Sequence, residues 1–389
     1  MKRIFLLVFT IFVALVTYAQ CDIAADIVDP DGYVNVRYDA NSKADVVARL
    51  YSGTTVYYEY NSDSKWYRVS LIKAGTPLGY VHSSRLELET SSSPADYSDE
   101  ASAFNIVVTE PGNILKYLPM DKLTQIKSIT ISGHMYETDI AIIKMCTNLQ
   151  YLNMANATIS ESPESFERRK NDMFQSSDPL PDCYIPAEAF RDMRLKTVIL
   201  PRKLKAIYHS AFKGCKSLKK IDLGEALVTI GGSAFENTQL IAVSFPKTLK
   251  KIYEDAFQNV RNLTILNLSH CAIDEYLTMS GLNSNLGKLP DLETFYMPNG
   301  ITTCAAFFFD KDNFGGGCPM LKDFYVGKNV KSIDRKISNI NLHFQSEFAP
   351  EIGLFSEVSN CTIYVPKNGN ITSYFAKFNG NGNKIIQEQ

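Results

Sequence analysis

The chain has 389 residues, 45% of them hydrophobic, which is long and apolar enough for two folded domains. Its 40 Lys+Arg against 42 Asp+Glu leave a formal net charge of -2. No global field gathers nucleic acid or an anionic membrane, so neither is expected as a partner.

The first 19 residues read as a secretory signal peptide. Lys2 and Arg3 form a short basic region, Ile4 to Val16 are apolar except for Thr10, and Thr17-Tyr18-Ala19 places a small residue at the cut. The stretch is too short to span a bilayer, and no later segment is apolar enough. A lipoprotein signal acylating Cys21 is the rival reading, but Gln20 stands where that chemistry wants a small residue. The expected destination is the cell surface, the outer envelope or the medium.

Residues 20–90 read as short strands rich in Tyr, Val and Thr: Tyr33-Val34-Asn35-Val36-Arg37, Thr55 to Tyr60 and Trp66-Tyr67-Arg68-Val69. Turn signals at Asp29-Pro30-Asp31-Gly32, Ser52-Gly53 and Ala74-Gly75 separate them, which predicts a small all-β barrel. Val34-Asn35-Val36-Arg37, Ser52-Gly53, Trp66-Tyr67-Arg68-Val69 and Gly79-Tyr80-Val81 resemble, in order, the bacterial SH3-like (SH3b) domain. The resemblance implies a module that contacts cell-wall peptides or glycans, peptidoglycan among them, or acts as a spacer. Tyr58, Tyr60, Trp66 and Tyr80 are its candidate groove residues, Trp66 being equally suited to the core. Residues 91–104, rich in Ser, Pro and acidic side chains, read as a solvated linker.

From 105 to 389 a Leu-x-x-apolar-x-apolar pattern recurs. It appears at Ile126, Leu149, Leu195, Leu218, Leu240, Leu263, Leu292 and Leu321, with steps of 23, 46, 23, 22, 23, 29 and 29. The step of 46 is twice 23 and predicts an insertion over 160–184, a polar stretch with Phe166, Phe174 and Pro179 expected as a loop over one edge. A second marker keeps the same phase: Ala-Phe pairs end at Phe190, Phe212, Phe235 and Phe257. This period and pattern predict a leucine-rich repeat, a β-rich solenoid in which each coil buries its apolar residues only against its neighbours.

Ile185-Pro186-Ala187-Glu188-Ala189-Phe190, Leu200-Pro201 and Phe212-Lys213-Gly214-Cys215-Lys216-Ser217-Leu218 resemble the BspA-like leucine-rich repeat proteins. So do the opening segment around Ile129 to Gly133 and the closing Ile363-Tyr364-Val365-Pro366 with Tyr374. The resemblance implies a surface-exposed adhesion or recognition protein and specifies no single ligand. Units after Leu263 are longer, and Phe307-Phe308-Phe309 with Gly315-Gly316-Gly317 are irregular.

Five of the eight cysteines (Cys146, Cys215, Cys271, Cys304 and Cys318) fall in small-residue slots of the repeat, where a thiol behaves as a small hydrophobe. Cys21, Cys183 and Cys361 have no such assignment. The five histidines include no close pair and no His-Glu-x-x-His, and there is no Cys-x-x-Cys, so neither a metal nor a cofactor is expected. Asp29 to Gly32 lacks the later ligands of a calcium loop and reads as a turn. No nucleophile elbow, phosphate loop or cysteine-protease signature occurs, and the repeats leave no room for a catalytic domain, so the protein is not read as an enzyme.

Binding is expected at the repeat-strand positions that point away from the core. These are Thr197/Ile199, Lys220/Asp222, Ala242/Ser244, Ile265/Asn267, Thr294/Tyr296 and Asp323/Tyr325. Lys220, Asp222, Asn267, Tyr296 and Tyr325 are the ligand-binding candidates among them, the two tyrosines as a patch for flat apolar faces of peptides or sugars. The predicted function is surface recognition of a host or bacterial surface protein or glycan. The alternative is an envelope scaffold that docks a partner of the same bacterium, in wall remodelling or glycan uptake.

Overall fold

A computed structural model describes residues 21–88, 102–170, 180–273, 286–304, 317–334, 336–354 and 356–389. The expected signal peptide, most of the linker, Phe174 and Pro179 of the insertion, Phe307 to Phe309 and Gly315-Gly316 lie outside them.

Residues 23–88 form seven antiparallel strands. Their order is Val46–Tyr51, Tyr33–Arg37, Gly79–His82, Trp66–Ser70, Thr55–Glu59, Ile23–Ile27 and Leu86–Leu88. Alternation puts Val34, Val36, Val56 and Tyr58 into the module's core and their neighbours outward. The turn at Asp29 closes through the Gly32 N–H to the Asp29 carbonyl (3.0 Å), with Gly32 at φ 80°, where glycine alone sits without cost. The expected all-β module is present, but a closed barrel is not found: among the described residues, the two edge strands, Val46–Tyr51 and Leu86–Leu88, do not pair with each other.

The repeats form a stack of parallel rungs. A front row pairs Ala103–Val108, Ser128–Tyr136, Tyr151–Ser160, Thr197–Ile199 and Lys220–Asp222. It resumes at Ile265–Asn267 and runs through Thr294–Tyr296, Asp323–Val326, Asn341–Phe344 and Thr362–Val365 to Lys384–Gln387. The Leu240 coil between the two runs stacks without forming a ladder strand. Register matches the sequence phase, Leu152 opposing Val198 and Val198 opposing Ile221. Because Leu152 and Val198 are immediate neighbours, the step of 46 is one enlarged coil.

A second row of two-residue strands, Tyr184–Ile185, Ala206–Ile207, Thr229–Ile230 and Lys251–Ile252, keeps Ile185, Ile207, Ile230 and Ile252 in one column. Phe190, Phe212, Phe235 and Phe257 are fully buried and stacked, with centroids 5.2, 5.5 and 5.2 Å apart. Before each Ala-Phe pair, one residue takes a left-handed turn: Glu188, Ser210, Ser233 and Asp255, at φ 56°, 54°, 53° and 57°. Each such residue costs about 1–2 kcal/mol, and backbone bonds between coils hold the first three in place, as from Ser210 N–H to the Gly232 carbonyl (2.9 Å).

The insertion differs from the expected loop, because Pro163–Lys170 is a helix. Ser162 anchors its start, its N–H and hydroxyl both donating to Glu137, and Arg169 pairs with Glu161 at 2.9 Å. At the far end the helix Ile371–Phe378 closes the core. Tyr374 and Phe378 pack on Phe344, and the Tyr374 hydroxyl donates to the Ser346 carbonyl (2.8 Å). Among the described residues no helix is long and apolar enough to cross a membrane.

Candidate functional site

The front-row side chains that point away from the repeat core do not all meet solvent. The N-terminal module lies on them, its edge strand Val46–Tyr51 beside Ile265–Asn267. The Asp222 carboxylate accepts from the Thr76 N–H at 2.7 Å, and Asn267 Nδ2 donates to the Val46 carbonyl at 3.2 Å. The Val46 N–H donates to the Tyr296 hydroxyl (3.2 Å), and Lys220 Nζ reaches the Thr55 carbonyl (3.5 Å). Arg49 and Glu293 form an ion pair across the boundary at 2.7 Å. Ile199 and Ala242 join the module's own apolar core, with Tyr151, Ala155 and Ile241 packed against it.

Four of the five solenoid candidates therefore change role. Asp222, Asn267 and Tyr296 are 9%, 4% and 2% exposed, and burial depresses the Lys220 pKa. The expectation that they form an open ladder is corrected: each of the four makes a hydrogen bond to the neighbouring module. A signal for this was present in the sequence, since Ile199, Ala242 and Ile265 put apolar side chains at positions that a solvated face would fill with polar ones.

Beyond Tyr296 the front-row rings are partly exposed. Tyr296, Tyr325, His343 and Tyr364 stack rung by rung, with centroids 4.0, 4.2 and 4.4 Å apart and planes within 13° of parallel. The stack corrects the picture of exposed flat faces, because each ring covers its neighbour. What Tyr325, His343 and Tyr364 present is their edges, each partly exposed. Burial raises the Tyr325 pKa, so its hydroxyl stays protonated as a donor. Asp323 accepts from His343 Nε2 (3.0 Å) and Asn341 Nδ2 (2.9 Å). Burial works against its ionisation, but these hydrogen bonds outweigh it and hold the carboxyl below its ordinary range.

A cleft of about 550 Å³ runs along the boundary between module and solenoid. Tyr80 and Asn267 line it together, and Tyr38, Arg68, Lys247 and His270 complete its polar wall. His270 Nε2 bonds the Phe245 carbonyl (3.0 Å), its Nδ1 is buried without a hydrogen-bond partner among the described residues, and burial depresses its pKa. The other module candidates do not converge there. Tyr58 is buried and stacks on Tyr67 at 5.2 Å, Tyr60 is 61% exposed beside the same ring, and Trp66 meets His82 edge-on.

All eight cysteines are free thiols and buried. Burial pushes Cys146 up to about 11 and Cys215, Cys271 and Cys318 up to about 12. Cys21 is fully buried, its Sγ 3.5 Å from the Arg68 carbonyl, and burial pushes it up to about 11. Asp139, a buried acid, is spent on structure, accepting from the N–H groups of Gly112, Ile114 and Tyr136. Among the described residues no group of three or more His, Cys, Asp or Glu side chains could hold a metal.

Residues 183–315 match the BspA type leucine-rich repeat region, a family model of six copies. Two solved structures are similar to the chain. The leucine-rich repeat protein of T. pallidum shares 24% identity, with 43% of this chain and 70% of that chain covered and a TM-score of 0.29. A leucine-rich repeat protein from Bacteroides ovatus ATCC 8483 shares 14% identity over 86% of this chain and 98% of that one, with a TM-score of 0.28. No curated protein matches. Residues 183–315 are therefore similar to leucine-rich repeats of BspA type, and such a repeat fold suggests a protein-binding role.

Proposed function

We propose that this is an exported cell-surface recognition protein that engages a protein or glycan partner through its solenoid. The observation that carries the reading is the division of the front row. The N-terminal module covers its middle, from Tyr151 to Tyr296, and the rungs beyond present the edges of Tyr325, His343 and Tyr364 beside Asp323. Ring edges, hydroxyls and a carboxylate on rigid rungs suit an extended polar partner such as a protein surface, because the side chains are already ordered before contact. The module contributes the wall of the boundary cleft, and its likeness to the SH3-like family supports a further contact with peptidoglycan.

The test is binding of the full-length mature protein to panels of host matrix proteins, host cells and purified bacterial wall, comparing wild type with Tyr325→Ala and Tyr364→Ala. Loss of about tenfold in affinity in either variant, with the melting temperature little changed, is the expected result for side chains at the centre of an interface. Wild-type binding by both variants would reject the front row as the contact surface. Capture of a partner from the producing cells but none from host material would favour the envelope-scaffold alternative.

A further inference from the structure

The second row carries a notch that neither the repeat packing nor the front-row reading uses. After the isoleucine column, successive coils place Tyr208, Gly231 and Tyr253 in line. Two tyrosines thus stand two rungs apart with no side chain between them. The groove they border has a volume of about 800 Å³, and Thr229 lies in its lining. The backbone enforces the gap: a Cβ on Gly231 would lie 2.6 Å from the Tyr208 carbonyl carbon and 2.7 Å from the His209 nitrogen. The stack itself is unbroken there, because the Gly231 N–H donates to the Ile207 carbonyl (2.7 Å) and the Tyr253 N–H to the Ile230 carbonyl (2.9 Å).

We propose that this notch is a saccharide subsite that clasps one pyranose ring between Tyr208 and Tyr253. Two rungs of a parallel ladder separate the walls by about 9.5 Å. A flat ring in van der Waals contact on both sides needs only about 7–8 Å, whereas a puckered ring with hydrogens on both faces fills the remainder. The walls differ in stiffness. Tyr184 packs edge-on against Tyr208 (5.4 Å, 89°), while Tyr253 is 51% exposed and closes the other side. Hydroxyl partners stand at the rim: among the described residues, the side chains of Glu254 and Asp255 make no ion pair or hydrogen bond, and both line the groove. Aromatic walls for C–H faces and unspent carboxylates for hydroxyls are the combination that a neutral sugar requires.

This inference does not depend on the front-row proposal, and its test separates the two. Calorimetric titration of the full-length mature protein with tetrasaccharides of glucose, galactose, mannose and N-acetylglucosamine should show binding of at least one. Tyr253→Ala should weaken it about tenfold, and Tyr253→Phe should retain most of it. Tyr253 is half exposed, so its variants fold. Failure of all four sugars at millimolar concentration, or equal binding by Tyr253→Ala, would overturn the proposal. A sugar lost on Tyr364→Ala but kept on Tyr253→Ala would place the glycan on the front row and equally overturn it.

Discussion

Reversing one charge at the domain boundary, Arg49→Glu, should undock the N-terminal module. Arg49 and Glu293 lie 2.7 Å apart with side chains 20% and 27% exposed, and the guanidinium also sits 4.5 Å over the Tyr33 ring. A fully exposed pair contributes about 0.2–1 kcal/mol, and breaking a buried one costs about 3–5 kcal/mol. Reversal adds repulsion between two carboxylates, about 4 kcal/mol at 4 Å in a surface-like dielectric, partly offset by Lys322, which stands 3.6 Å from the other Glu293 oxygen. The net cost to docking is about 2–4 kcal/mol, or about 30- to 1,000-fold in the ratio of docked to undocked molecules. Two amides report it directly, because the Val46 and Thr76 N–H groups donate across the boundary, to Tyr296 and Asp222. Hydrogen exchange at both should accelerate in Arg49→Glu and recover in the double reversal Arg49→Glu/Glu293→Arg. Unchanged protection in the single variant would refute the claim that this contact holds the module in place.

Other consequences concern the stack itself. Phe235→Ala, deleting a fully buried ring between two stacked neighbours, should cost about 3–5 kcal/mol in urea unfolding; a cost below about 1 kcal/mol would mean the column is not shared packing. Tyr296→Phe removes the acceptor of the Val46 N–H and should cost about 1 kcal/mol of docking, read as faster exchange at Val46 with little change at Phe324. Asp323 titrates below its ordinary value near 3.8, so its contribution to stability is present above that pH and disappears as the pH falls through the folded value. The melting-temperature advantage of wild type over Asp323→Asn should therefore shrink between about pH 5 and about pH 3; an advantage that grows on acidification would contradict the hydrogen bonding seen. The eight buried thiols should resist iodoacetamide in the native protein at neutral pH and all react in denaturant. Rapid native labelling of Cys215 or Cys271 would contradict their burial.

Legibility in the sequence tracked the distance over which each interaction acts. The leucine and phenylalanine phases located the coils to within a residue or two, because one apolar column must repeat at the rise of the stack. The five cysteine slots followed from the same phase. The helix at Pro163–Lys170 was not legible, since its anchors, Glu137 to Ser162 and Glu161 to Arg169, are set by the coil before it. Facing away from the core marks a binding candidate when one coil stands alone, but not once a second domain packs on the coils. Lys220, Asp222, Asn267 and Tyr296 face away from the repeat core and into the other domain.

Periodicity alone determined that this protein stacks coils, where it inserts and where five of its eight thiols are stored, because burying an apolar stripe is a local and repeated requirement. Which part of the outer ladder stays open was decided only by the tertiary structure. That outcome depends on complementarity between two surfaces more than 100 residues apart in the chain, the unpaired strand edge at Val46 and the rungs at Asp222, Asn267 and Tyr296. No period in the sequence encodes such a match, because each of its contacts is made once.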